Sequence, residues 1–272
     1  MGYSNKAFGR LLFLILIICI VFPIIWGISI SLKNRVDALA TPPKWIFTPT
    51  LSNYNSALME GDYGNTIINS LIIALSSSIL AMMIGIPAAY MFSRFNFRGA
   101  RAAFLGILTV RMAPATVIAL PLFLIFSKLR LIDTYLAIIL VHTAVALALV
   151  IWIMKAFFDE VPLEIDEASL IDGTGRVRIL ATQVLPLCLP GVAVTAALCF
   201  INSWNEFFLA LMLTGFYSRP YTVAVPALVS PHGTYWGQVT AIATIGLIPA
   251  VLFAIIVRYF IIGFTQKKLS AT

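Results

Sequence analysis

The amino-acid sequence predicts an all-α polytopic membrane protein with six transmembrane helices. Hydrophobic residues make up 61% of the 272 residues and charged residues 11%, with a mean hydropathy of +0.99. This composition excludes a soluble globular domain. The apolar runs are continuous rather than alternating, which argues against a strand-built barrel. Because a transmembrane helix needs roughly 20 apolar residues, the chain has room for about six spans.

Six long apolar runs mark the expected spans within a single transmembrane domain, residues 1–272. They lie at residues 11–31, 66–92, 102–127, 134–157, 187–214 and 239–264. The first run follows Lys6 and Arg10, and we interpret it as an uncleaved helix because it is long and no clear cleavage site follows it. Pro114 and Pro121 should interrupt the third helix, because proline removes a backbone hydrogen bond.

The basic residues indicate the orientation, because Lys and Arg near helix ends are retained on the cytoplasmic side. Placing both termini inside puts ten basic residues in the cytoplasm and six outside, while Arg258 is close enough to the inner end of the last helix to reach inward. The segment 158–186 then faces the cytoplasm. The net charge of +7 requires no nucleic acid, since cationic helix ends facing anionic membrane lipid account for it.

Segment 158–186 is unusually acidic for so apolar a chain. Six of the eleven acidic residues lie there: Asp159, Glu160, Glu164, Asp166, Glu167 and Asp172. Pro162 suits a first helical turn, carboxylates suit a positive helix N-terminus, and Gly173 suits a left-handed C-cap. We therefore predict one short helix over 163–172.

The predicted short helix carries an apolar stripe, because Ile165, Ala168 and Ile171 recur every three residues. Such a helix can lie against its own bundle or enter a groove on another protein. Its acidic residues disfavour anionic lipid, and the small residues Ala168, Ser169 and Gly173 permit close approach. Docking to a soluble protein is therefore favoured.

This segment resembles the EAA loop of bacterial ABC-importer permeases, in which Glu-Ala-Ala precedes a glycine and a later Ile-x-Leu-Pro. Glu167, Ala168, Gly173 and Leu185-Pro186 occupy the matching positions, whereas Ser169 and Gln183 depart from the pattern. The resemblance implies that residues 158–186 form a cytoplasmic coupling loop, with the helix at 164–173 contacting an ATPase. The coupling residues it implies are Leu163, Glu164, Glu167, Ala168, Ser169, Asp172, Gly173 and Arg176.

The rest of the chain is similar to the shorter permease subunit of maltose-type, carbohydrate-uptake importers. The segments that carry this resemblance are Asn69-Ser70-Leu71, Ala89-Tyr90, residues 93–99, Pro121-Leu122-Phe123 and Trp204-Asn205-Glu206-Phe207. The family implies a type I importer permease fold in a bacterial inner membrane. It also implies a second homologous permease subunit, two cytoplasmic ATPase subunits that use ATP and magnesium, and an extracytoplasmic solute-binding protein.

No catalytic, cofactor or metal motif is evident in the sequence, so we expect a non-catalytic subunit. Gly173-Thr174-Gly175 lacks the lysine and the preceding strand of a phosphate-binding loop. His142 and His232 have no ligand or triad partners nearby in the sequence, and we expect packing or outer-loop contacts for them.

Several polar residues fall at membrane depth, where they need a cavity or a partner. Asn202, Trp204, Asn205 and Glu206 form one cluster, which either lines a translocation path for sugar hydroxyls or joins neighbouring helices in a structural network. Arg111 poses the same question in the third helix. We expect it to lie about 10 Å nearer the cytoplasm than Glu206, from the rise of about 1.5 Å per residue.

Proline and aromatic residues mark the outer loops at 41–54 and 217–238, and they suit either an interfacial belt or a docking surface for an extracytoplasmic partner. The function we predict is the permease of an ATP-driven importer for a sugar or related hydroxylated solute. The alternatives are an ABC permease for another nutrient, a stand-alone secondary transporter, for which Glu206 is the one core carboxylate, and a non-transport scaffold.

Overall fold

The computed structural model describes residues 2–60, 63–230 and 233–269. Four of its helices are long and apolar enough to cross a membrane: Gly9–Ser31, Tyr63–Arg94, Tyr135–Asp159 and Trp236–Ile256. Two bent helix pairs satisfy the same criteria together: Ala100–Val110 with Ala115–Lys128, and Arg176–Leu187 with Leu189–Trp204. Six spans result if each bent pair is one span. The prediction of an all-α polytopic membrane protein is confirmed.

The chain forms two compact units, and the first comprises residues 1–65 and 224–248. Its complete elements are α1 (Gly2–Ser31), α2 (Arg35–Ala38), α3 (Ser52–Asn55), a π-helical turn at Ser56–Glu60, a 3₁₀ turn at Val225–Leu228, and strands β1 (Val229–Ser230) and β2 (Gly233–Thr234). The two strands are antiparallel, with Val229 opposite Thr234. The Asn53 side chain donates to the carbonyl oxygens of Ser31 and Lys33, at 2.8 and 2.7 Å, and so joins α3 to the end of α1.

The second unit comprises residues 66–223 and 249–272. Its helices are α4 (Tyr63–Arg94), α5 (Ala100–Val110), α6 (Ala115–Lys128), α7 (Tyr135–Asp159), α8 (Leu163–Ile171), α9 (Arg176–Ile179), a π-helical turn at Leu180–Val184, α10 (Leu185–Leu187), α11 (Leu189–Trp204) and α12 (Phe208–Leu213). Two further helices, α13 (Tyr221–Ala224) and α14 (Trp236–Leu269), extend into both units, as does the first turn of α4.

Helix α7 forms the centre of the second unit, between α4 and α11. Val150, Met154 and Phe158 are buried in a cluster with residues of α4, α9 and α11. Gly191 of α11 packs directly against the ring of Phe157 of α7, and an added Cβ at this position would lie 2.5 Å from the ring. A glycine is needed at this position because any side chain would overlap the ring.

The third span, over 102–127, is interrupted as expected, whereas the fifth is not the continuous helix expected over 187–214. The third breaks between Val110 and Ala115 with a bend of 92°. Pro114 lies at this break as the N-cap of α6, as expected, but Pro121 lies inside α6 and does not end it. The prediction for Pro121 was wrong: its missing N–H removes the single hydrogen bond to the carbonyl of Val117, but α6 continues past it.

The fifth span begins at Leu189, after an 88° bend from residues 176–187, and α11 ends at Trp204. A separate helix, α12, follows at Phe208. The break is stable because the carboxylate of Glu206 accepts the first backbone N–H groups of α12. The first, second and fourth spans agree with the predictions to within a few residues, and the sixth begins three residues earlier than expected.

Candidate functional site

Helix α8 has the capped geometry that its sequence predicts. The helix begins at Leu163 as predicted, with Pro162 as its N-cap and not in its first turn. Gly173 follows the C-cap Asp172 with a φ of +79°. The N–H of Gly173 donates to the carbonyl of Leu170, and that of Thr174 to Ser169. This pair of bonds is a Schellman motif, which needs a left-handed residue at position 173.

The inner face of α8 is held by a buried ion pair that the sequence did not reveal. Asp166 accepts hydrogen bonds from the hydroxyl of Tyr90 and from Nε of Arg94, the latter at 3.1 Å. The side chains of Arg94 and Asp166 are each 3% exposed. We expected Asp166 to act through the helix dipole, but it anchors α8 to the end of α4, 72 residues earlier in the chain.

Arg94 also joins α7 to this assembly. Its guanidinium donates to the carbonyl oxygens of Phe158, at 3.0 Å, and Val161, at 2.9 Å. These carbonyls lie at the end of α7 and in the connection to α8, where helix geometry leaves acceptors unsatisfied. A single side chain therefore fixes the ends of α4 and α7 and the start of α8 in one arrangement.

The outer face of α8 is exposed, and it contains most of the residues expected to couple to an ATPase. Ile171 is 88% exposed and Leu163 is 52% exposed. Glu164, Glu167, Ala168 and Asp172 are exposed beside them, Ser169 is half-buried, and Arg176 follows in α9 with its guanidinium 5.1 Å from the ring of Phe95. No ion pair within the described residues involves Glu164, Glu167 or Asp172.

A cavity of about 80 Å³ lies beside the break after α11. Its polar lining residues are Arg111, His142, Asn202, Ser203 and Glu206. Arg111 and Glu206 thus border the same space, despite the separation expected from helix rise, because the bend after α5 changes the path of the chain. No ion pair joins the two side chains.

Glu206 has a structural role that its position in the sequence does not show. One carboxylate oxygen accepts the backbone N–H of Leu209 at 2.8 Å, and the other accepts that of Ala210 at 2.9 Å. The carboxylate also lies 3.4 Å from Nε2 of His142. His142 is therefore part of this polar cluster, whereas the sequence led us to expect a lone packing histidine. His232 lies outside the described residues.

The other residues of the expected translocation path have different surroundings. Trp204 is 1% exposed, and its ring lies 5.6 Å from that of Phe200 and 4.9 Å from that of Tyr221. Asn205 is the exposed C-cap of α11. The Asn202 side chain donates to the carbonyl of Leu198, one turn earlier, at 2.8 Å. In this conformation the ring faces of Trp204 are covered by protein.

Asp133 organises the loop that follows α12. Its carboxylate accepts hydrogen bonds from the backbone N–H groups of residues 215–218 and from the hydroxyl of Ser218, at 2.7–3.1 Å. Burial alone would raise the pKa of Asp133, but these hydrogen bonds outweigh it and hold the pKa at about 2. The loop presents the rings of Phe216 and Tyr217, both 77% exposed.

Comparison with known proteins identifies the family. Residues 81–266 match the family model described as "binding-protein-dependent transport system inner membrane component". The chain is 34% identical to the trehalose/maltose transport system permease protein MalG of Thermococcus litoralis, with 94% of this chain and 93% of that protein covered. It is 31% identical to the sulfoquinovosyl glycerol transport system permease protein SmoH of Agrobacterium fabrum, with 98% and 95% covered.

The fold is also found in a solved structure. A chain of a bacterial ABC transporter involved in the import of the acidic polysaccharide alginate superposes with a TM-score of 0.78 at 23% identity, covering 95% of this chain and 98% of that chain. Together with the four to six candidate spans and the capped, exposed helix α8, these matches identify the family. The chain belongs to the binding-protein-dependent transport system inner membrane components, the permease subunits of ABC importers.

Proposed function

We propose that this permease imports a sugar or a related polar, hydroxylated solute, and that α8 receives the motion produced when partner ATPase subunits bind and hydrolyse ATP. The observation that carries the proposal is the division of α8 into two faces. Asp166 anchors the inner face to Arg94 and Tyr90, whereas Leu163 and Ile171 remain exposed on the outside.

The exposed face of α8 has the chemistry of a docking surface. Large apolar side chains in water are unfavourable unless a partner covers them, and here they alternate with the carboxylates of Glu164, Glu167 and Asp172. The partner groove should therefore combine an apolar floor with basic residues at its rim. Because a buried ion pair holds the inner face of α8, a displacement of this helix is transmitted directly to the ends of α4 and α7.

The proposal includes the orientation expected from the basic residues, with both termini and α8 in the cytoplasm. Arg94, Arg98, Arg101, Arg176 and Arg178 occur in and around this end of the bundle, as the positive-inside rule requires. An ATPase in the cytoplasm could then contact α8. The catalytic chemistry belongs to that partner, and this chain contributes motion and a path.

The remaining partners follow from the family. A second permease subunit would complete the pathway, and a solute-binding protein would deliver the solute from outside. The loop at 215–218, held rigid by Asp133 and presenting Phe216 and Tyr217, is a suitable outer contact.

The sugar class is supported by the names of the relatives and by the cavity beside Glu206. Its lining offers an amide, a guanidinium, an imidazole and a carboxylate. Such groups donate to and accept from hydroxyls. A permease for an amino acid or oligopeptide is the second candidate, because these groups would also bind an ammonium and a carboxylate.

Uptake into proteoliposomes tests the function. The complex of both permeases and the ATPase, supplied with the binding protein outside, should accumulate labelled trehalose, maltose or sulfoquinovosyl glycerol only when ATP is available to the ATPase. Uptake driven by an ion gradient without ATP would contradict the ABC mechanism. ATP-dependent uptake of amino acids or peptides, with none of any sugar, would contradict the substrate class alone.

A further inference from the structure

The cavity beside Glu206 is enclosed enough to select a chemical group and too small for a whole solute. Its volume is about 80 Å³, whereas pockets that enclose a small molecule measure roughly 300–1,000 Å³. A cavity needs about 10–15 Å³ on this measure to hold one water molecule. There is thus room for one or two hydroxyl groups with their carbon atoms, while the remainder of the solute would stay outside, beside the exposed Arg111 and Asn202.

His142 is held in one orientation by two serine hydroxyls. Its Nδ1 lies 2.6 Å from Oγ of Ser203, and Oγ of Ser77 donates to Ser203 at 3.0 Å. Because Ser203 accepts from Ser77, its own proton is available for Nδ1. A neutral imidazole that accepts at Nδ1 has its proton at Nε2. Ser77 Oγ also lies 3.3 Å from the carbonyl oxygen of Ala74; when its proton goes to Ser203 instead, Ser203 donates to Nδ1 and the imidazole donates from Nε2.

This donor has no hydrogen-bond partner among the described residues, although the His142 side chain is only 3% exposed. Oε2 of Glu206 lies 3.4 Å from Nε2, beyond the usual range for an N–H···O hydrogen bond. A buried donor without a partner is costly. Since Nε2 and Oε2 are too close together for an atom to lie between them, the missing partner must lie beside both, in the cavity that they line.

Glu206 supplies an acceptor next to this donor. Each of its oxygens accepts one backbone N–H from α12, but a carboxylate has about four acceptor positions, so further capacity remains. The missing group must accept from the imidazole and donate to the carboxylate. A hydroxyl does both, whereas an anion would be repelled by Glu206 and an apolar group would satisfy neither side chain.

We propose that His142 Nε2 and Glu206 bind one hydroxyl group of the transported solute, making His142 a specificity-determining residue of this subunit. The inference rests on the proposed import of a hydroxylated solute. A bound water molecule has the same donor and acceptor chemistry and is the competing occupant. The two differ in one respect, because only a solute hydroxyl makes transport depend on a particular position of the sugar.

Monodeoxy analogues of the sugar provide that test. Uptake of trehalose and of its 2-, 3-, 4- and 6-deoxy analogues is compared in the proteoliposome assay. Each rate is corrected for the affinity of that sugar for the binding protein. If maltose is the sugar taken up, maltose and its analogues are used instead. The wild-type complex should transport one analogue about 12–160-fold less efficiently, as loss of a hydrogen bond to the charged carboxylate predicts. In His142→Leu this discrimination should become smaller for that analogue alone, because only the hydrogen bond to Glu206 remains.

Two further variants make the result interpretable. His142→Gln retains a side-chain N–H donor and should keep more of the discrimination than His142→Leu. Thr143→Val is the matched control, because Thr143 is a buried neighbour in α7 that does not line the cavity, and its discrimination should equal that of the wild type.

Three outcomes would overturn the inference. A uniform fall in the rates of all analogues in His142→Leu would indicate a purely structural histidine, and an unchanged ratio would indicate a bound water. If no sugar is transported at all, the proposed substrate class fails together with the subsite. Sugar uptake with an unchanged ratio, in contrast, leaves the proposed function intact and removes only the subsite.

Discussion

Arg94 and Asp166 form a buried ion pair, with Nε and Oδ2 3.1 Å apart, that joins the end of one long span to the exposed helix α8. Removing one partner leaves an uncompensated buried charge, which typically costs about 3–5 kcal/mol. We expect Arg94→Ala to lower the melting temperature of the complex and to reduce ATPase stimulation by loaded binding protein. Arg94→Leu combined with Asp166→Leu should recover much of the lost stability.

The control for this ion pair is Lys155 with Asp159, a partly exposed pair one helical turn apart. Such pairs contribute only about 0.3–0.5 kcal/mol, so Lys155→Ala should change the melting temperature little. Equal effects of Arg94→Ala and Lys155→Ala would contradict the anchoring role of Arg94.

Gly173 provides a test of the shape of α8. Its φ of +79° disfavours any residue with a Cβ, yet an added Cβ would meet no atom of this chain. Gly173→Leu should therefore strain the C-cap, and a bulky residue there should also hinder the partner. We expect uptake and stimulated ATPase activity to be lost, with normal insertion of the chain into the membrane.

Gly175→Leu is the matched control, since Gly175 also has open space around it but a φ of −69°. Gly173→Asn, which tolerates the left-handed conformation better than leucine, should retain intermediate activity. Full uptake with normal ATPase stimulation in Gly173→Leu would refute the coupling role.

Glu206 should prove important for stability whatever its role in transport. Glutamine has one acceptor oxygen in place of two, so Glu206→Gln leaves one N–H group of α12 without its partner. Loss of a helix cap costs about 0.5–2 kcal/mol, and we expect a lower melting temperature of the assembled complex. An unchanged melting temperature would show that the cap does not stabilise the break.

A substitution at Asn205 distinguishes the two interpretations of the polar cluster, as part of a translocation path or as a structural network. It is exposed, and no hydrogen bond of its side chain occurs within the described ranges. Asn205→Ala should therefore leave assembly and melting temperature unchanged while lowering solute uptake, if this residue lines the path. Reduced co-purification of the subunits would instead indicate a contact with the second permease, and normal uptake with normal assembly would refute both roles.

The stability of the loop at 215–218 should depend on pH, because the carboxylate of Asp133 holds this loop. Its pKa of about 2 lies below its ordinary value of 3.8, so the ionised carboxylate stabilises the folded state relative to the unfolded chain. Since folding lowers the pKa, this contribution is complete above about pH 4 and is lost as the pH falls toward 2. Asp133→Asn should reduce the melting temperature at pH 7, and the difference from wild type should shrink on acidification. A difference independent of pH would contradict the role of the charge.

The membrane class, the approximate positions of the spans and the capped helix α8 could be predicted because they depend on neighbouring residues. Whether a run of apolar residues can span a membrane depends on the length of that run alone. Likewise, a proline, an acidic first turn and a glycine at 173 determine the ends of α8 through interactions within a few residues of chain. The coupling role that we propose for the outer face of α8 also starts from the sequence, from the spacing of Glu167, Ala168 and Gly173, and stays a prediction.

Only the tertiary structure decided which polar groups meet. Tyr90 and Arg94 reach Asp166 across more than 70 residues, and His142 reaches Ser203 across 61. The break after Trp204 was also hidden, since it lies in a run apolar enough for one helix, whereas Pro114 had indicated the break after Val110. Hydrophobicity determines whether a segment enters the membrane, but it does not determine how the helix is rotated about its axis or where it bends. Rotation and bending depend on hydrogen bonds between helices, which form only after the helices have packed.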